Sequence, residues 1–290
     1  MTARTAPVLT AQVLTEALPY IQRFRGSTVV VKFGGNAMVD PVLSETFAAD
    51  IVLMHSVGIK PVVVHGGGPQ IGALLKQIGK ESEFVDGLRV TDAETLDVAR
   101  MVLGGKVSRD IVSAINVHGP FAVGVSGEDA GLIRAKPQRA ELGFVGEVAG
   151  VNPDIIHRLL AEDMIPVVSS IGSDETGQAY NINADIVAGH LAAAVGARKL
   201  IMLTDVDGMR RDPDDPSSLI QQITAADLHP LVGTPTVSGG MIPKVEACLH
   251  AVDQGVVSAH MINGTVEHVL LLELFTDSGI GTMIKQSASD

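Results

Sequence analysis

Apolar runs that end at once in glycine recur along this chain. Thr28-Val-Val-Val-Lys-Phe33 reads as a buried strand stopping in Gly34-Gly35, and Pro61-Val-Val-Val-His65 as a second stopping in Gly66-Gly67-Gly68. Helical spacing follows over about 42–58 and again from Pro69, a residue suited to a first helical turn. A long helical run from Ala93 towards Val117 is capped by Asp92 or Thr91 and open to interruption at Gly104-Gly105. Strand 121–125, an alternating stretch from Phe144 to Val151 that reads as an edge hairpin, helix 153–162 and strand 166–171 continue the rhythm. Tyr180-Asn-Ile-Asn-Ala-Asp185 opens an alanine-rich helix to about 196, and strand 199–204 ends in the acidic loop Asp205–Asp215. Ser238–Lys244 introduces a helix to about 254, and two or three short strands follow between 256 and 285. This order predicts an α/β fold, a three-layer sandwich around a mainly parallel central sheet. Ahead of it, Leu9, Val13, Leu14, Ala17, Ile21 and Phe24 keep helical spacing with Pro19 among them. Residues 1–25 are therefore expected to form a helix kinked or divided at the proline. Its apolar stripe packs either on its own subunit or on a neighbour.

Composition narrows the partners. The chain is 290 residues and 46% hydrophobic, enough for a sizeable core in one large α/β domain or two joined lobes. A net charge of −12 argues against nucleic acid or an anionic membrane surface, so any anionic substrate must be held by a few local Lys and Arg residues. Cys248 is the only cysteine, which excludes an internal disulfide. No apolar run approaches the ~20 residues of a membrane span. A cytoplasmic location in a reducing compartment is expected.

Familiar nucleotide signatures are missing: there is no P-loop, and residues 66–72 fail the dinucleotide fingerprint. His65-Gly-Gly-Gly68 resembles the oxyanion loop of esterases. The nearest approach to the serine elbow that loop requires, Gly124-Val-Ser-Gly-Glu128, breaks at its last position. What remains is a set of glycine loops with isolated cations. Lys32 follows a buried run directly, Lys244 lies one turn past Gly239-Gly240, and Asp185 opens a helix between them, placed to fix both ammonium groups. Bare N–H groups and two mobile charges suit phosphoryl transfer, where positioning and charge neutralisation do most of the work. Arg89, between apolar neighbours, suits either a bidentate grip on a substrate carboxylate or a structural salt bridge. Asn181 and Asn183 either bind an amide or cap the following helix. Asp205, Asp207, Asp212, Asp214 and Asp215 fail the EF-hand spacing and read mostly as solvated loop charges.

Six motifs in order resemble the amino-acid kinase family. They are Val29–Ala37, Val64–Gln70, Gly87–Thr91, Tyr180–Asp185, Leu203–Gly208 and Gly239–Lys244. Within the family they resemble the branch whose acceptor is N-acetyl-L-glutamate. The resemblance implies ATP-dependent phosphorylation of that acceptor's side-chain carboxylate, an early step of arginine biosynthesis. It implies that Lys32 and Lys244 stabilise the migrating phosphoryl group, with Asp185 organising both. Gly34, Gly35 and Gly67 would offer it N–H groups, while Gly67, Gly68, Arg89 and Asn181 would hold the acylated amino acid. Asp205, Gly208, Met209 and Arg211 would lie along the nucleotide, with Mg2+ held mainly by its phosphates. It further implies an acceptor-binding and dimerisation lobe over 26–195 and a nucleotide lobe over 196–290. The leading helix resembles that of the arginine-inhibited hexamers, trimers of dimers interlaced by residues 1–25. Tyr20, Lys199, His268, Glu273 and Gly279 carry over as the arginine site. Ala130 departs from the family pattern, which has glycine there. Relatives that phosphorylate free glutamate, aspartate, carbamate or UMP, and a non-catalytic amino-acid sensor, are the rival readings. A carboxylate acceptor with pKa ~4 is already ionised at neutral pH, so no general base is required.

Overall fold

The computed structural model describes residues 5–212, 214–276 and 279–287. Residues 1–4, Pro213 of the acidic loop, and 277–278 of the predicted effector tail lie outside the described residues.

Eight strands form the central sheet, in the spatial order Gln222–Thr224, Thr282–Lys285, Ser258–Asn263, Lys199–Thr204, Thr28–Phe33, Lys60–His65, Ile165–Ser169 and Ala122–Ser126. All neighbours are parallel except Thr282–Lys285 against Ser258–Asn263. Side-chain alternation divides the apolar residues between two faces. Val29, Val31, Phe33, Val63, Ile201 and Leu203 pack under helices Pro41–Ser56, Gly68–Gln77 and Val269–Phe275. Val30, Val62, Val64, Leu200 and Met202 face helices Asp154–Ala161, Ala184–Ala194 and Ile242–Asp253. This is the expected three-layer sandwich. The strands flanking the centre are buried on both faces, which is why they read as unbroken apolar runs rather than as alternation.

Helix starts follow local chemistry. Asp40 Oδ1 accepts from the Val42 and Leu43 amides at 2.8 and 3.2 Å, and Asp92 Oδ1 accepts from Thr95 N–H at 2.8 Å. Asn183 caps Ala184–Ala194 by accepting the Asp185 amide at 2.8 Å. The run from Ala93 is interrupted at the flagged glycines: Met101–Val107 is π-helical, joining Ala93–Arg100 to Ser108–Asn116. The leading helix spans Thr5–Phe24 as one element through Pro19, so the division in two is not observed. Val8, Leu9, Val13, Leu14 and Leu18 on it are exposed, whereas Phe24 is buried.

One expectation is corrected. Val145–Val151 does pair antiparallel with Ile133–Pro137, but not at an edge. Its other side pairs with Ala179–Ile182, and with Ile171–Ser173 the four strands close a small barrel. This barrel carries Asn181 over the C-terminal ends of the central strands. Among the described residues no helix is long and apolar enough to cross a membrane.

Candidate active site

Three separate elements bring the predicted cluster together. Lys32 is the penultimate residue of its strand, while Asp185 and Lys244 sit in the first turns of two packed helices. Lys32 is only 7% exposed and Asp185 5%. Charges so deeply placed are tolerable only when paired. Lys32 Nζ lies 3.0 Å from Asp185 Oδ1 as an ion pair without hydrogen-bond alignment, and Lys244 Nζ donates to Oδ2 at 2.6 Å. Burial pushes the Asp185 carboxyl up, but the two ammonium groups outweigh it and hold it below the usual carboxylate range. The trio carries one net positive charge; Lys32 and Asp185 line an open cleft, and Lys244 stands behind them on Asp185.

That cleft is a cavity of about 240 Å³ lined by Lys32, the Gly34-Gly35 and Gly66–Gly68 loops, Arg89, Asn181 and Asp185. Glycine is required at two of these positions for identifiable reasons. Gly35 has φ +69°, and a Cβ there would sit 2.7 Å from an Asp205 carboxylate oxygen. A Cβ on Gly67 would sit 2.7 Å from Leu103 Cδ2, a side chain of the π-helical turn. Arg89 is fastened at the rim. It donates to the Gly68 carbonyl at 3.0 Å and to the Ser82 hydroxyl, and its guanidinium lies 4.7 Å from the Phe84 ring centroid. Asn181 donates to Thr91 Oγ1 at 3.3 Å, leaving its amide oxygen for a ligand. Leu88, Leu103, Val145 and Ile182 add an apolar wall. Leu88 and Ile182 lie within the quoted motifs without a role assigned there, whereas Leu103 and Val145 come from other elements that no motif marks.

The nucleotide residues do not share one surface. Asp205 stands beside Gly35, but Met209 is 1% exposed in the core, its N–H donating to Thr282 Oγ1 at 2.8 Å. Its side chain therefore lies in the core, next to Gly208, which has φ +147°. Arg211 instead lines a second cavity of about 610 Å³ with Ile220, Ile223 and Thr236.

A third cavity, about 270 Å³, collects Tyr20, Lys199, Glu273 and Gly279, four of the five predicted effector residues. His268 is not among them. It precedes Val269–Phe275, where Nδ1 meets Asp50 Oδ1 at 2.7 Å. The histidine in the cavity is His260, whose Nδ1 lies 2.6 Å from Glu273 Oε1, with Lys199 Nζ 2.9 Å from the same oxygen. Strand periodicity carries the missing signal, because Ser258 and His260 share one face of their strand and both line the cavity.

Comparison with known proteins agrees with this geometry. Residues 27–263 match the amino acid kinase family. The chain is similar to the acetylglutamate kinase of Acaryochloris marina, 56% identical over 94% of this chain and 96% of that one. It is also similar to the acetylglutamate kinase of Nostoc sp., 54% identical over 97% and 95%. Among solved structures it resembles the N-acetylglutamate synthase of Neisseria gonorrhoeae. The complex with coenzyme A and N-acetyl-glutamate matches at 27% identity and TM-score 0.82, and the complex with coenzyme A and L-arginine at 25% and 0.79. In both, 96% of this chain aligns, but it spans only 64% and 66% of the synthase chain. On its match over residues 27–263 and its identity to these kinases over nearly their whole length, the chain belongs to the amino acid kinase family.

Proposed function

We propose that this chain transfers the γ-phosphoryl group of ATP to the side-chain carboxylate of N-acetyl-L-glutamate. The observation that carries the reading is the single Asp185 carboxylate that pairs with both Lys32 and Lys244, with Lys32 and Asp185 themselves lining the cleft. The acetylglutamate kinases matched over nearly their whole length support the choice of acceptor.

A carboxylate oxygen of the acceptor attacks the γ-phosphorus as the bond to ADP breaks. No proton moves, so Asp185 has no basic role and stays a counter-ion between two lysines. Charge on the peripheral phosphoryl oxygens is met by Lys32 and N–H groups of the Gly34-Gly35 and Gly66–Gly68 loops, which line the cavity, and by Lys244 from its place on Asp185. Arg89, already oriented by Gly68 and Ser82, takes the α-carboxylate, and Asn181 the acylated amine. Among the described residues lining the cavity, Asp185 is the one carboxylate, and both its oxygens are engaged. A free α-ammonium would therefore meet the apolar wall unpaired, which disfavours glutamate and favours its acylated form. Mg2+ would come with the nucleotide phosphates and screen their charge.

Residues 26–195 then serve the acceptor and 196–290 the nucleotide, across one continuous sheet. The cavity around Glu273 is read as an arginine site, where this carboxylate, already paired with Lys199 and His260, stands among Tyr20, Phe24 and Gly279 with Arg23, Arg198 and Lys285 on the same lining. The synthase solved with L-arginine supports this, and the exposed stripe of Thr5–Phe24 supports hexamers interlaced by that helix.

The test is ATP consumption with N-acetylglutamate, glutamate, aspartate and UMP supplied separately. Turnover is expected with N-acetylglutamate above the others. Preference for free glutamate, or no acceptor-dependent turnover, would overturn the assignment.

A further inference from the structure

His65 ends the Lys60–His65 strand just before Gly66–Gly68, and no step above uses it. The residue is fully buried. Its Nδ1 lies 3.0 Å from the Gly66 carbonyl oxygen, and its Nε2 is buried without a hydrogen-bond partner. A carbonyl oxygen only accepts, so the proton belongs on Nδ1; the other tautomer would set two lone pairs against each other. Burial, aided by the Arg109 charge, lowers the His65 pKa to about 4, so the ring is neutral near pH 7.

The Gly66–Gly67 peptide is planar and trans, so its C=O and N–H point in opposite directions. With the oxygen turned to the buried imidazole, the Gly67 N–H faces the other way, towards the cavity that both glycines line. Between two glycines nothing steric prevents this plane from flipping. A tether is needed, and His65 is the side chain in place to supply it.

We propose that His65 is a positioning residue, donating from Nδ1 to the Gly66 carbonyl and so aiming the Gly67 N–H at the migrating phosphoryl group. The proposal rests on the phosphoryl-transfer reading of the cleft. Three variants test it against wild type with ATP and N-acetylglutamate. His65→Asn keeps an N–H donor near the Nδ1 position, His65→Gln moves the donor out to the Nε2 position, and His65→Leu removes it. The Asn variant is expected to keep kcat within about threefold, while Gln and Leu lower it roughly 10- to 100-fold, with KM for N-acetylglutamate moving less than kcat. Equal kcat for the Asn, Gln and Leu variants would overturn the proposal, because a merely structural role does not distinguish where the donor sits. Nitrogen-15 histidine NMR on the unmodified chain gives an answer independent of variant folding: an Nδ1-protonated His65 supports the contact, and an Nε2-protonated one refutes it. Lack of turnover in the wild type would strike the phosphoryl-transfer reading instead, and the tautomer would still decide the His65 contact.

Discussion

Two buried carboxylates have opposite relations to pH. Asp185 is held low by its lysines, so its contribution to stability is full above the ordinary carboxylate pKa and is lost as pH falls through the depressed folded value. Asp50 is raised to about 6, chiefly by burial and despite His268. Its folded pKa exceeds its unfolded one, so the native state binds the extra proton and stability falls as pH rises from about 4 to about 6. Urea denaturation of Asp50→Asn should lose most of that slope, gaining on the wild type between pH 5 and pH 8 by on the order of 2 kcal/mol; a parallel pH profile would contradict it. Lys32→Ala and Lys244→Ala should each lower kcat by about 10²- to 10³-fold while circular dichroism stays native. Near-normal kcat in either would remove the charge-stabilising role. The residues of this cluster were legible because three glycine loops with two lysines near them outweigh the solvated-surface reading that would normally win for any single lysine. Met209 and His268 were not, because where a loop residue is held is decided by partners distant in sequence, here Thr282 for the Met209 N–H and Asp50 for the His268 ring.

At the scale of elements, the central strands, their glycine loops and the following helices could be read almost residue by residue. The small barrel could not. Ile171–Ser173 and Ala179–Ile182 are three and four residues long, too short for a period to register, and they owe their pairing to the barrel as a whole. The π-helical turn was visible only as the glycine pair Gly104-Gly105, yet it sets Leu103 and Val107 against Gly67. That contact makes a testable coupling. Gly67→Ala should destabilise the chain by about 1–3 kcal/mol through overpacking and depress kcat. Leu103→Ala should cost less in the Gly67→Ala background than in the wild type, because the truncation makes room for the new methyl group. Strictly additive losses in the double-mutant cycle would show that the turn does not press on the loop.

Across the whole molecule, one sheet runs through both proposed halves, and the trio of Lys32, Asp185 and Lys244 draws on each. The cavity proposed above for an effector involves the leading helix through Tyr20 and Phe24. Deleting residues 1–25 should yield active dimers that no longer respond to arginine, read by light scattering alongside the assay. A hexamer surviving the deletion would refute the interlacing role. The central claim is that the phosphoryl group reaches a side-chain carboxylate, and trapping the acyl phosphate with hydroxylamine tests it most directly. With ATP and N-acetylglutamate present, hydroxamate is expected in step with ADP, one for one. ADP released without hydroxamate would contradict the account.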